Sequence, residues 1–269
     1  MKKYNRLFTF GCSFTNYHWP TWANILAYEL NVPLYNYGLT GAGNQYIFNM
    51  LMQADGFYNF TNDDLITICW TNVSREDRYK NDNWVCSGNI YTQQKINKDF
   101  VDQWADSVFY ALRDFASIKA SIEFLNKKNC DYFMFKMADF SFVDQWSNIS
   151  VPKKYNDLLE FYNPYLSQVH KSFYEVLWKN DISNKWRQER LIVGAHYQDG
   201  HPLVSEHLEY LQNVLSYNFS EATIELVKKT NDKIINKLKD GKSLDGRFKF
   251  WEIDYTDTFF NHSEKVLQF

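Results

Sequence analysis

Five short apolar runs, separated by stretches of helical periodicity, constrain this chain more than any other feature. Arg6–Phe10, Val32–Tyr37, Leu65–Trp70, Asp131–Met137 and Arg190–Ala195 each have the length and apolar content of a buried strand. Between them lie His18–Leu30, with Trp22, Ile25, Leu26 and Leu30 on one face, and Asn44–Ala54, with Ile47, Met50 and Leu51 as its stripe. A long helix carries Trp104, Val108, Leu112, Phe115, Ile118, Ile122 and Leu125 at helical spacing, and Tyr155–Lys179 is largely helical as well. Two further helices, Val204–Tyr217 and Glu221–Lys239 with Ser220 as N-cap, follow the last run. Strands joined through helices run parallel, because a parallel pair needs a crossover of about a dozen residues or more. A parallel sheet is buried on both faces. The expected fold class is therefore α/β: a three-layer α/β/α sandwich around a mostly parallel, five-stranded sheet. The expected organisation is one α/β domain over residues 1–218 and a helical C-terminal extension over 219–269, packed on the same domain. Val73–Lys98 is polar and aperiodic and reads as a long loop, and residues 139–152 read as an aromatic one.

Composition narrows the partners. The formal charge is −3 and no dense block of Lys and Arg occurs, so nucleic acid is not an expected partner. The basic stretch Lys228–Lys239 is interleaved with Ile and Leu and reads as the solvated face of a helix. Cys12, Cys69, Cys86 and Cys130 lack Cys-x-x-Cys spacing, which argues for free thiols rather than a disulfide framework or a metal site. No metal or other cofactor is expected. The N-terminus passes from charged residues straight into a strand, without the apolar stretch of a signal peptide. No run approaches the ~20 apolar residues of a membrane span. The expectation is synthesis in the cytoplasm, with exit only by cell lysis or by joining a larger particle such as a virion, and with virion components or further copies of this chain as macromolecular partners. The 22 Phe, 19 Tyr and 9 Trp have two readings: codon bias with a well-filled core, or an aromatic-lined groove for a sugar or acyl ligand.

In an open parallel sheet, ligands bind beyond the C-terminal ends of the strands. Four such ends carry polar or glycine-rich segments. They are Phe10-Gly11-Cys12-Ser13-Phe14-Thr15, then Asn36–Asn44 with Gly38, Gly41 and Gly43, then Trp70-Thr71-Asn72, and lastly Asp199-Gly200-His201-Pro202 ahead of His207. Plainer roles exist for each: Ser13 as a helix cap, Gly41 and Gly43 as turn glycines, Asn72 in an Asx-turn, His201 as a loop histidine. Arg75 and Arg78 could bind an anionic substrate group or belong to a salt-bridged loop.

Taken together, the four segments resemble the SGNH/GDSL hydrolase superfamily, whose name lists a Ser, a Gly, an Asn and a His in four ordered blocks. The resemblance spans residues 4–217 and is closest to phage and marine bacterial relatives with a Phe-Gly-Cys-Ser-Phe-Thr block. It implies that Ser13 attacks an ester carbonyl and His201 exchanges its proton, with Asp199 orienting His201. The N–H groups of Ser13 and Gly41 and the amide of Asn72 would form the oxyanion hole. Asn44, Trp70, Arg75 and His196 would line the substrate, and His207 would be structural. The chain departs from the family at Cys12, where Asp is usual, and at Gln198, where the family's Asp would stand three residues before the His. Either Asp199 takes that place in a tighter turn, or a backbone carbonyl or Gln198 does so in a Ser–His dyad. The implied function is a serine esterase removing acetyl or another short acyl group from a carbohydrate. The alternatives are acyl transfer to an acceptor sugar, and a non-catalytic structural or glycan-binding component of a phage particle.

Overall fold

The computed structural model describes residues 2–91, 96–141, 152–193, 200–239, 254, 255, 257, 259 and 263–267. The first half follows the expected alternation: β1 (Arg6–Gly11), α1 (Trp22–Leu30), β2 (Leu34–Gly38), α2 (Asn44–Tyr58) and β3 (Asp64–Trp70). Helix α1 starts later than its apolar spacing suggests. Pro20 biases the residue before it to extended backbone, and the Thr21 N–H is taken by Asn24 Oδ1 at 3.0 Å.

The stretch expected as a long loop contains a hairpin, β4 (Arg75–Lys80) and β5 (Asn83–Asn89), antiparallel and separate from the main sheet. Its turn residues, Asn81 and Asp82, both have positive φ (53° and 57°), as a type I′ turn requires. Hydrophobic alternation could not reveal β4, because its buried side chains are Glu76 and Asp77. Glu76 accepts from Tyr110 Oη at 2.6 Å and pairs with Arg78, also at 2.6 Å. Asp77 accepts from the backbone N–H groups of Gly43 (2.8 Å) and Tyr46 (2.9 Å), and so caps α2 from another element.

The rest comprises α3 (Lys98–Trp104), α4 (Ser107–Lys128), β6 (Asp131–Lys136), α5 (Lys153–Leu166), α6 (Phe173–Trp178), α7 (Ile182–Val193), α8 (Val204–Leu215) and α9 (Glu221–Lys239). The fifth strand expected over Arg190–Ala195 is not formed at its start, since Arg190–Val193 is the end of α7, and 194–195 lie outside the described residues. A short apolar run cannot by itself distinguish a strand from a buried helical turn. Here Asp181 settles the choice by taking the Ser183 N–H at 2.9 Å and opening a helix that runs into the apolar residues.

The main sheet among the described residues therefore has four strands, all parallel, in the order β2-β1-β3-β6. Single bridges flank it at both edges: Ser263 beside Leu34 on β2, and Ser172 beside Lys136 on β6. The register separates the two faces. Phe8 stands beside Ile66 and Ile66 beside Tyr132, so Phe135, three residues further on, faces the other way. Phe8 packs on Tyr58 of α2, and Phe135 packs on Trp22 of α1 and Tyr210 of α8. Helices thus cover both faces. Part of the aromatic surplus lies in the core, where Phe8, Phe10, Trp22, Tyr37, Trp70 and Tyr210 are fully buried. Helix α9 packs on α8 and α1, and Glu29 of α1 accepts from Tyr217 Oη, Ser220 Oγ and Thr223 Oγ1 at its start. All four cysteines are free thiols. No described helix is long and apolar enough to cross a membrane.

From β1 the chain moves to β2 on one side and then, through α2, to β3 on the other. The strand order reverses at β1, and the crevice beyond the C-terminal ends of β1 and β3 is where such a sheet holds ligands.

Candidate active site

Immediately after β1 the backbone turns tightly: the N–H groups of Thr15 (2.9 Å) and Asn16 (3.2 Å) both donate to the Cys12 carbonyl. The turn needs glycine at its entrance, since a Cβ on Gly11 would lie 2.0 Å from Thr15 Oγ1. Ser13 projects from this turn. It does not cap α1, a role that falls to Thr21. His201 Nε2 lies 2.9 Å from Ser13 Oγ, bringing together two residues 188 positions apart. A hydroxyl at that distance from an imidazole can pass it a proton as it attacks an electrophile.

The histidine is fixed on several sides. Gly200 before it adopts φ +77°, and the Pro202 carbonyl after it accepts from Trp19 Nε1 at 2.9 Å. The Leu203 N–H donates to Glu206 Oε2 at 2.7 Å. Glu206 is held in turn by Lys185 (2.5 Å), which is almost fully buried, and by Trp178 Nε1 (3.1 Å). The His201 ring stacks on Tyr17, with centroids 3.9 Å apart and planes 16° apart, and also meets Phe14 at 5.7 Å. Tyr17 was missed by sequence reasoning, although its place just beyond the Ser13 turn was a usable signal. His207 is buried against Phe173. Burial, reinforced by the neighbouring His201 and Lys185, pushes its pKa well below the usual histidine value.

Gly41 lies in the turn after β2 with φ +81°, where a Cβ would meet the Cys86 carbonyl at 2.9 Å. Its own carbonyl accepts from the Gly88 N–H at 3.0 Å, so the hairpin sets the orientation of this turn. Asn72 follows β3. Its Oδ1 accepts from the Ser74 N–H at 2.8 Å, an Asx-turn that fixes which end of the amide carries the donors.

Two of the residues expected to line the substrate are interior ones. Asn44 is fully buried, and its amide is engaged at both ends: Nδ2 donates to Thr71 O (3.1 Å) and to Asp114 Oδ2 (2.9 Å), while Oδ1 accepts from the Thr71 N–H (2.8 Å). It clamps the residue before Asn72 instead of meeting a ligand. Trp70 is also fully buried, with its Nε1–H on Met134 Sδ at 3.5 Å. A strand as completely buried as β3 leaves no side chain of its own for the crevice.

Asp114, which sequence reasoning also missed, anchors this arrangement from α4. Burial pushes its carboxyl up to about 6, opposed by Arg113, whose Nε donates at 2.7 Å, and by Asn44. Arg113 Nη2 further donates to the Arg75 carbonyl at 2.9 Å. Arg75 is half-buried, with Nη1 on the Ala42 carbonyl (2.8 Å) and Nη2 on Met137 Sδ (3.4 Å). Asp199, Gln198 and His196 lie outside the described residues.

No family model matches the sequence. No curated protein matches it either. Among solved structures the chain is similar to a member of the lipolytic protein G-D-S-L family from Veillonella parvula, with 16% identity, 77% of this chain and 96% of that one covered, and a TM-score of 0.42. It is similar to a protein of the G-D-S-L family from Desulfitobacterium hafniense, with 15% identity, coverage of 77% and 99%, and a TM-score of 0.41. It is also similar to a gut microbial diltiazem-metabolizing enzyme, with 14% identity and a TM-score of 0.42, covering 78% of this chain and 46% of that one.

Proposed function

We propose that this chain is a serine hydrolase that cleaves a carboxylic ester at Ser13. The observation that carries the reading is the 2.9 Å contact between Ser13 Oγ and His201 Nε2 at the end of β1. In the reaction, Ser13 Oγ bonds to the ester carbonyl carbon as His201 Nε2 accepts the hydroxyl proton. The tetrahedral oxyanion is stabilised by the N–H groups of Ser13 and Gly41 and by the Asn72 amide, each such donor contributing about 3 kcal/mol. The intermediate expels the alcohol, which takes the proton from His201. Water then attacks the acyl-serine by the same steps in reverse and releases the acid. Asp199 is the proposed orienting acceptor for the second imidazole nitrogen, making the set a triad.

The substrate class we favour is a short acyl ester, such as acetyl, on a carbohydrate alcohol. Half-exposed Tyr17 beside His201 supports it by offering an aromatic edge where a sugar would lie. The test is labelling with a neutral fluorophosphonate together with hydrolysis of 4-nitrophenyl acetate. Wild type is expected to be labelled at Ser13 and to turn over the ester, and Ser13→Ala and His201→Ala to fall to background. Equal background rates in all three proteins, with Ser13 unlabelled, would remove the hydrolase reading.

A further inference from the structure

Arg75 differs from the other arginines whose side chains are described. Arg6 pairs with Asp64, Arg78 with Glu76, Arg113 with Asp114 and Arg187 with Asp181. Arg75 meets only a backbone carbonyl and a thioether, and its buried Nε–H has no partner among the described residues. A guanidinium carries five donors in a planar fork and cannot shed its charge. Among the described residues no carboxylate pairs with it, and a half-buried guanidinium in that position is unfavourable unless something else supplies the negative charge.

Its place in the fold suggests what that is. Nη1 touches Ala42, the residue after Gly41. Nη2 touches Met137 Sδ, which itself lies 4.0 Å from the sulfur of Cys12, the residue before Ser13. The guanidinium charge also reaches Tyr174, where burial raises the hydroxyl to about 12 and Arg75 opposes the rise. Tyr174 packs against Phe14, the residue after Ser13, at 6.2 Å. The guanidinium is thus flanked by the Ser13 turn and the Gly41 turn, the two loops that border the ester site. Arg113 and Asp77 brace it from behind through the Arg75 carbonyl and the Gly43 turn.

We propose that Arg75 binds a carboxylate of the substrate, so that the ester cleaved here bears a negative charge close to its carbonyl. This rests on the esterase reading of Ser13 and His201. The planar fork suits a carboxylate, which it can grip with two parallel hydrogen bonds.

The test uses the full chain. The ratio kcat/KM is measured for 4-nitrophenyl hemisuccinate against 4-nitrophenyl butyrate, which places the charge on the acyl side. It is then measured for 4-acetoxybenzoate against its methyl ester, which places the charge on the alcohol side. Wild type is expected to prefer one charged ester over its uncharged counterpart, and that preference is expected to weaken as ionic strength rises. Arg75→Gln is expected to lower the preference by about tenfold to a hundredfold, and Arg75→Lys by less. Succinate or benzoate, matching the preferred side, should slow fluorophosphonate labelling of Ser13 in wild type but not in Arg75→Gln, a difference that a purely structural arginine would not produce. No charge preference in wild type, or one unchanged in Arg75→Gln, overturns the proposal. If instead Ser13 is neither labelled nor active, the esterase reading fails by itself. The anion site is then decided by melting temperature: a rise with succinate or benzoate in wild type but not in Arg75→Gln supports it, and no rise with either overturns it.

Discussion

Replacing Asn44 with Ala isolates what the buried amide contributes to the site. The substitution removes three hydrogen bonds: two to the backbone of Thr71, at 3.1 and 2.8 Å, and one to the Asp114 carboxylate at 2.9 Å. A net hydrogen bond between neutral groups contributes about 1 kcal/mol, and one to a charged group about 2 kcal/mol, so the loss is about 4 kcal/mol. Folded chains have about 5–15 kcal/mol in total, so the variant should still fold. Its melting temperature should fall by roughly 10 °C. The loss should also depend on pH. The Asn44 bond favours the ionised form of Asp114, whose carboxyl sits at about 6. Asn44 therefore contributes most above that pH and less once Asp114 is protonated. The stability difference between wild type and variant is thus expected to shrink from pH 8 to pH 5. Because Thr71 precedes Asn72, kcat on 4-nitrophenyl acetate should fall by about a hundredfold as the proposed oxyanion donor, Asn72, drifts. Urea unfolding with unchanged slope, run at both pH values, measures the first effect, and steady-state kinetics measure the second. A loss below about 1 kcal/mol at pH 8, or a loss that grows toward pH 5, would refute the argument.

Two further outcomes follow from the same geometry. Tyr17→Ala removes the ring stacked on His201 and should lower kcat up to about tenfold with KM for 4-nitrophenyl acetate little changed, while Tyr17→Phe retains the stack and restores the rate; a Phe variant as slow as the Ala variant would show that the stack is not what matters. Gly41→Ala forces a Cβ against the Cys86 carbonyl at a φ of +81° and should cost roughly 1–2 kcal/mol of stability together with a loss of kcat, measured by thermal unfolding and by the same ester assay; a variant matching wild type in both would show that the turn does not need glycine.

The turn that carries Ser13 was legible because its parts are local. A serine just past a buried strand and a glycine before it define a tight turn wherever the rest of the chain goes. The spacing of Leu65–Trp70 likewise marks a strand without any knowledge of its neighbours. Asn44 and Trp70 were misread as ligand-facing because proximity to a strand end does not say which way a side chain points. The fifth strand was misread because Leu191-Ile192-Val193 suits a strand or a helix equally.

Sequence by itself determined the class of the fold: short apolar runs linked by amphipathic helices admit little besides a parallel sheet covered on both faces. It also determined that polar residues gather at the strand ends, since turn chemistry is written in nearby glycines, serines and asparagines. Only the tertiary structure decided which of those ends meet. Ser13 and His201 are joined by no local rule; they come together because the elements following β6 return the chain to the end of β1. Nor could periodicity announce Glu76, Asp77 and Asp114, because a carboxylate becomes an interior residue only when another element brings its hydrogen-bond partner. The place of Arg75 is equally a property of the assembled fold, for having no carboxylate partner among the described residues depends on elements far apart in the chain.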